Sequence, residues 1–311
     1  MSELISIVLP TFGLIGLGWF AGQLKLLGPR AGDGLSDYVF LLAVPSLIFR
    51  TLAEGATPSE NPWGYWAAYF GGVVVVWTIA MILATRAFGR DRREAAVHGF
   101  SAAQSNTVLV GVPLILNVYG DAGAIPLFLL LAIHLPIMMS AAAILIETAS
   151  PGAKGFAIAR KLTVTVLTHP IILALVAGLI AQRLGFRPGG AFQSFIDQLA
   201  ATASPCALVA MGLALKRFGF VSDIKAVAAI SALKLVGHPF LVWLLAFHVL
   251  SVPPVWAGVA VLFAAMPCGI NAYLIAARYK VAEPTASAAV AVSTAISVVT
   301  VSGWLWMIGA V

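Results

Sequence analysis

Apolar runs, each closed by a short polar or charged cluster, fill the chain from end to end. A helix needs about 20 mostly apolar residues to cross the hydrocarbon of a bilayer. Ten runs meet that length, at about 4–24, 35–53, 64–87, 95–118, 122–147, 163–184, 192–215, 224–250, 255–278 and 284–309. The connections are short. The longest polar stretches, 54–63 and 148–161, are loops with no room for an inserted domain. The pattern predicts an all-α polytopic membrane protein of ten transmembrane helices.

Composition agrees. Of 311 residues, 61% are hydrophobic and 10% charged, and the mean hydropathy is +1.00. A soluble domain carries about 25% charged residues, so a soluble enzyme, a nucleic-acid binder and a disulfide scaffold are all excluded. The net charge of +6 is explained by position. Fourteen of the eighteen Lys and Arg fall in the odd-numbered connections: Lys25, Arg30, Arg86, Arg90, Arg92, Arg93, Lys154, Arg160, Lys161, Lys216, Arg217, Lys225, Arg278 and Lys280. Only Arg50, Arg183 and Arg187 lie in the even ones, and Lys234 lies within a span. Cytoplasmic loops are the basic ones, so both termini are expected on the outer side. The first run lacks a basic leader and a clear cleavage site, and is expected to be a span rather than a removed signal.

A shift of 160 residues superposes Pro10 on Pro170, Gly18 on Gly178, Asp37 on Asp197, Pro45 on Pro205 and Tyr119 on Tyr279. Two halves of five spans follow, 1–150 and 151–311. Because five is odd, the second half enters the membrane from the opposite side, giving the inverted repeat common among secondary transporters. In such folds interrupted helices from the two halves hold the substrate near the midplane.

Spans four and nine carry the matching interruptions. Span four contains Asn106, Thr107, Gly111 and Pro113; span nine contains Pro267, Gly269 and Asn271. Proline removes an N–H and collides with the preceding turn. Backbone groups freed in this way are tolerated only inside protein or beside a wet cavity. Helix N-termini created at the breaks would present partial positive charge to an anion, and the Asn amides can donate to a carboxylate. A proline kink bridged by a packing asparagine is the plainer alternative for either span alone.

The segment from Asn106-Thr107 through Gly111-Val112-Pro113-Leu114 resembles the Asn-Thr-x-x-x-Gly-hydrophobic-Pro-Leu segment of the auxin efflux carrier family, and the likeness extends along the chain through Leu35–Phe49 and Lys234–Pro239. The resemblance implies two inverted repeats with crossing broken helices in spans four and nine. It further implies a scaffold of spans one, two, six and seven, a mobile transport part of spans three to five and eight to ten, and an elevator-like motion carrying small organic anions. A homodimer is implied in the same way. The short connection after span five fits the bacterial permease branch, and hence the bacterial inner membrane, better than the plant carriers.

An ionisable residue inside the membrane is a functional candidate by default. Lys234, about ten residues into span eight, could attract the anion, pair with a carboxylate, or snorkel to the interface. Asp37 and Asp197 lie near the starts of spans two and seven, where capping is the ordinary role. His134, His238 and His248 are candidates for a proton relay or for packing, with His238 one turn from Lys234. Cys206 and Cys268 show no metal spacing and are expected to be small buried fillers. No cofactor or metal set is expected. The coupling ion, proton or sodium, stays open, since bile-acid symporters share the implied fold and could hold sodium on backbone carbonyls. A sodium-coupled symporter of that type is thus the nearest alternative. An intramembrane enzyme is further off, because no HExxH, paired-aspartate or Gly-x-Ser-x-Gly pattern occurs. Without a Walker A motif the chain cannot hydrolyse ATP by itself.

Overall fold

The computed structural model describes residues 2–28, 30–55, 60–149, 169–186, 189–219 and 223–310, and all its regular elements are helical. In chain order they are α1 Ser2–Gln23, α2 Ala31–Glu54, α3 Trp63–Arg86, α4 Arg92–Ala103 and α5 Thr107–Thr148. After these come α6 Pro170–Arg183, α7 Gly190–Leu215, α8 Ile224–Val249, α9 Pro254–Ala265, α10 Ile270–Tyr279 and α11 Glu283–Met307.

Seven of these helices are long and apolar enough to cross a membrane, and α6 and α9 are shorter apolar helices. At 1.5 Å per residue, α5 would be about 63 Å long, roughly twice the hydrocarbon thickness. It turns at Gly120, whose positive φ of 53° and ψ of −140° lie outside the helical region. The expected spans four and nine are each divided, into α4 with the start of α5 and into α9 with α10. Residues 163–168 of the expected sixth span, the basic residues Lys154, Arg160 and Lys161, and the midpoint at 150/151 lie outside the described residues.

Proline shapes several helices in the same way. Widened π turns at Val39–Ala43, Thr107–Gly111 and Leu233–Gly237 each end two residues before a proline: Pro45, Pro113 and Pro239. The proline ring obstructs the carbonyl one turn back and offers no N–H, so the turn relaxes to i→i+5 bonding. Helix starts near the membrane ends are polar. Asp91 and Glu94 form a reciprocal capping box on α4, and Asp223 caps α8 by accepting from the N–H groups of Lys225 and Ala226.

Asp37 and Asp197 do not cap. Helices α2 and α7 begin at Ala31 and Gly190, several residues before them. Asp197 instead pairs with Arg50 at 3.5 Å.

Helix α1 packs along α7, and α2 packs on α6 and α7. Helices α3, α4, α5, α8, α9, α10 and α11 pack on one another, most closely as α3 on α4, α8 on α9 and α3, and α11 on α8 and α10. Two close helix crossings are related by the 160-residue shift. A Cβ at Gly18 would meet Val209 backbone, and one at Gly178 would meet Phe49 backbone and Leu52. The shift carries residue 18 to 178 and 49 to 209.

Candidate functional site

The two broken helices meet. Between α4 and α5 the chain is extended at Gln104 (ψ 119°), and between α9 and α10 it is extended at Met266 and Gly269 (ψ 148° and 147°). The extended pieces run antiparallel with Ser105 opposite Cys268. The Asn106 N–H donates to the Pro267 carbonyl at 2.8 Å, and the Gly269 N–H donates to the Gln104 carbonyl at 3.0 Å. Pro267 can only accept here, and does. A Cβ on Gly269 would lie 2.9 Å from the Ser105 carbonyl oxygen, so the close approach requires glycine at this position.

Broken backbone inside a membrane must be satisfied by protein or a wet cavity, and three of the freed groups find protein partners. The Cys268 N–H donates to Ser293 Oγ on α11 at 3.0 Å. The Ala264 carbonyl, freed where α9 stops, accepts from Lys234 Nζ. The Asn106 carbonyl accepts from the Gly111 N–H at 3.1 Å. Lys234 is fully buried, so it does not snorkel, and among the described residues no carboxylate forms an ion pair with it. Its Nζ also lies 3.3 Å from His238 Nδ1.

The residues expected at the site are thus gathered at the two breaks. Asn106 is 6% exposed, and its amide Nδ2 lies 2.9 Å from Met211 Sδ on α7. Thr107, Gly111 and Pro113 are buried in the first turns of α5. Pro267 and Gly269 form the second extended piece. Asn271 sits in the first turn of α10, half-buried, and its side chain makes no hydrogen bond to a described residue. Lys234 serves the end of α9 rather than the start of α10.

Several contributors escaped the sequence reading. Met211 lies in an apolar run and carries no signal of its own. Ser293 belongs to a buried hydroxyl row with Thr294 and Ser297, a helical spacing that could have marked the face of α11 turned inward. Tyr69 is fully buried and shares a hydrogen bond of 3.1 Å with His134, the relay candidate already named, which is fully buried too. Their pairing from α3 and α5 joins residues far apart in sequence. His248 is exposed against the Trp243 ring and takes no part. Cys268 is buried and Cys206 half-buried, both with free thiols. Among the described residues no group of three His, Cys, Asp or Glu could hold a metal.

Two helices therefore begin at one crossing, α5 after Asn106 and α10 after Gly269, each with first-turn N–H groups that the helix itself does not use. The partial positive charge of both N-termini falls there, alongside an amide from each break. That is the chemistry of an anion site.

Comparison with known proteins leads the same way. The family described as membrane transport protein matches residues 4–305. The chain is 33% identical over 317 residues to a "Putative malonate transporter" of Rhizobium meliloti (strain 1021), covering 99% of this chain and 97% of that one. It is 25% identical over 312 residues to an "Uncharacterized transporter" of Methanothermobacter thermautotrophicus, covering 96% of each. A shorter likeness, 24% over 121 residues, links it to the lysosomal cholesterol signaling protein of Mus musculus, of which it covers 14%. The chain belongs to the membrane transport protein family, the auxin efflux carriers. It is a multi-pass membrane transporter, not an enzyme.

Proposed function

We propose that this transporter carries a small organic anion of the malonate class across the bacterial inner membrane, holding it where the two breaks cross. The observation that carries this reading is the antiparallel pairing at Ser105 and Cys268, which brings two helix N-termini and two asparagines to one place. A carboxylate there would accept from the Asn106 and Asn271 amides and from first-turn N–H groups. Malonate is the first candidate because the relative that is one-third identical is named for it. To reach Asn106 the anion must displace Met211, a side chain of α7.

The reading extends to ten spans in two inverted repeats. The paired crossings at Gly18 and Gly178 support it. We assign α1, α2, α6 and α7 to a scaffold and the other helices to a part that moves past it as an elevator. The closer packing within each group than between them, where α5 and α11 alone touch the scaffold helices extensively, supports this division. The Asn106–Met211 contact then joins moving part to scaffold and must break in each cycle. The basic connections face the cytoplasm and both termini the outside.

Labelled malonate counterflow in liposomes holding the full chain tests the function. Internal unlabelled malonate should accelerate uptake of the label, as it does for a carrier and not for a channel. Absence of acceleration with malonate and with other mono- and dicarboxylates would overturn the anion reading. Single cysteines at Glu60 and Arg92, both exposed, test orientation: impermeant reagents should reach the first from outside and the second only from inside.

A further inference from the structure

Behind the second break lies a group of buried titratable side chains that anion binding through the crossing does not use. Lys234, His238, Tyr69 and His134 are all 0% exposed and come from three helices: α8, α3 and α5. The Tyr69 ring packs between the two imidazoles, with centroids 5.3 Å from His238 and 5.5 Å from His134. His238 Nδ1 lies 3.3 Å from Lys234 Nζ, and His134 Nδ1 lies 3.1 Å from the Tyr69 hydroxyl. Each imidazole thus has one nitrogen engaged. The other, Nε2 of His134 and of His238, is buried with no hydrogen-bond partner. Buried polar atoms are nearly always bonded, and exceptions call for an explanation. Two such exceptions touch one tyrosine, beside a lysine that no carboxylate of the described residues pairs with.

The groups facing this cluster are few. From α3 come Tyr69 and, one turn earlier, Tyr65, whose hydroxyl donates to the Pro126 carbonyl at 2.9 Å. From α5 comes His134, from the first break the Ser105 hydroxyl against Tyr69, and from the second break Cys268. Helix α9 presents only uncharged side chains, with the Phe263 ring 5.1 Å from His134. Helix α11 offers the hydroxyls of Ser293, Thr294 and Ser297, and its acidic residue Glu283 lies ten residues before Ser293. On α4, His98 has Arg90 and Asp223 as its charged neighbours. Among the described residues no carboxylate is therefore at hand to neutralise a Lys234 ammonium. A charge so placed inside a membrane is costly unless it is paired.

We propose that Lys234, with His238, Tyr69 and His134, forms a proton-binding centre that loads a proton together with each anion. The inference rests on the anion reading above: the anion at the crossing is the counter-charge that the ammonium lacks. With the anion bound, Lys234 Nζ takes up a proton and donates to the Ala264 carbonyl and to His238 Nδ1. When the anion leaves, the N–H bond to Nζ breaks and one forms at His238 Nδ1. Once His238 Nε2 reaches the Tyr69 oxygen, its proton passes there as the Tyr69 hydroxyl proton moves to His134 Nδ1, and His134 gives up its Nε2 proton to solvent on the release side, leaving all three groups neutral. The transporter is thereby an anion–proton symporter, and its apparent affinity for the anion rises as pH falls.

Liposomes holding the full chain and a trapped pH dye give the test, with labelled malonate as the probe. In wild type, net malonate uptake should acidify the lumen beyond that of protein-free liposomes, and an inward proton gradient should speed it. His238→Gln and His134→Gln should slow net proton-driven uptake by roughly a hundredfold, the usual scale for losing a proton-transfer group. Malonate–malonate exchange at fixed pH should persist in both, because exchange returns the proton with the anion. Wild-type uptake without acidification overturns the proton centre and leaves the anion reading standing. Equal losses of exchange and net uptake in folded variants overturn the relay assignment. Absence of wild-type exchange overturns the anion reading and this inference with it. The wild-type acidification needs no variant, so a variant that fails to fold does not remove the test.

Discussion

The two breaks reach the same geometry by opposite chemistry. The first is built from polar side chains of its own: Gln104, Ser105 and Asn106, none more than 6% exposed. The second, Met266-Pro267-Cys268-Gly269, is nearly apolar, and its loose ends are satisfied from elsewhere, Ala264 by Lys234 of α8 and Cys268 by Ser293 of α11. Their asparagines differ as well. Asn106 is buried and its amide is taken by Met211, whereas Asn271 is half-buried with its amide open. A break that carries its own polar groups can be read locally. One that borrows them becomes intelligible only when the helices supplying them are in place.

That contrast should be visible in binding. Losing a hydrogen bond to a charged group costs roughly 1.5–3 kcal/mol, or about ten- to a hundredfold in affinity. Asn271→Ala should show that loss in malonate titrations of monodisperse protein. Asn106→Ala should show less, because its amide must first leave Met211, and the double variant should fall short of the sum if both amides hold one carboxylate. Equal single losses would mean that Met211 has already withdrawn in the binding state, and the contrast would then belong to the empty protein alone.

A steric comparison comes next. The obstacle to a Cβ at Gly269 is the Ser105 backbone at 2.9 Å, while at Gly111 it is the Met266 side chain at 3.3 Å. Backbone cannot yield without parting the two breaks. Overpacking costs about 1–3 kcal/mol, so Gly269→Ala should lower the thermal midpoint distinctly and Gly111→Ala should lower it less. The reverse order in a thermal unfolding assay would place the rigid contact on the wrong side of the crossing.

Ser293→Ala leaves the Cys268 N–H without its acceptor, at a cost of about 1–3 kcal/mol. The lower end is expected if a neighbouring hydroxyl such as Thr294 can turn to replace it. Stability unchanged in the same assay would show that the second break does not depend on α11.

The smallest effect lies outside both breaks, where Arg90 before α4 meets Asp223 at the start of α8 at 2.9 Å. The Arg90 guanidinium, helped by the capped Ala226 N–H, holds the Asp223 carboxyl below its usual 3.8. A depressed carboxyl stabilises the fold at pH above its unfolded value and loses that contribution as pH falls through the folded one. Asp223→Asn should therefore cause a slight drop in thermal midpoint at neutral pH, and the gap should close below about pH 4, where the unfolded carboxyl is protonated. A gap that persisted in acid would assign the residue a role in capping alone.

Much of this was legible in the chain. Hydrophobic run lengths marked the membrane helices, since about 20 residues must cover the hydrocarbon whatever they pack against. Asn106, Gly111 and Pro113, with Pro267, Gly269 and Asn271, marked both interruptions, because proline and the freed backbone act within a turn or two of themselves. Asp37 and Asp197 misled for the converse reason. Helix α2 starts four residues before its apolar run, because the polar turn Ala31–Gly34 costs little in water, whereas Asp197 lay inside the α7 run, too far from its start at Gly190 to cap.

Sequence by itself thus determined that the chain is an all-helical, multi-pass membrane transporter rather than a soluble enzyme, and where two of its helices break. The tertiary structure decided that the breaks cross and bond to each other, that Lys234 faces a carbonyl instead of the interface, and that Tyr69 and His134 stand beside His238. The physical reason is range. Hydropathy and proline strain are properties of consecutive residues, whereas the partner of a freed N–H or a buried ammonium is chosen by whichever helix is packed against it.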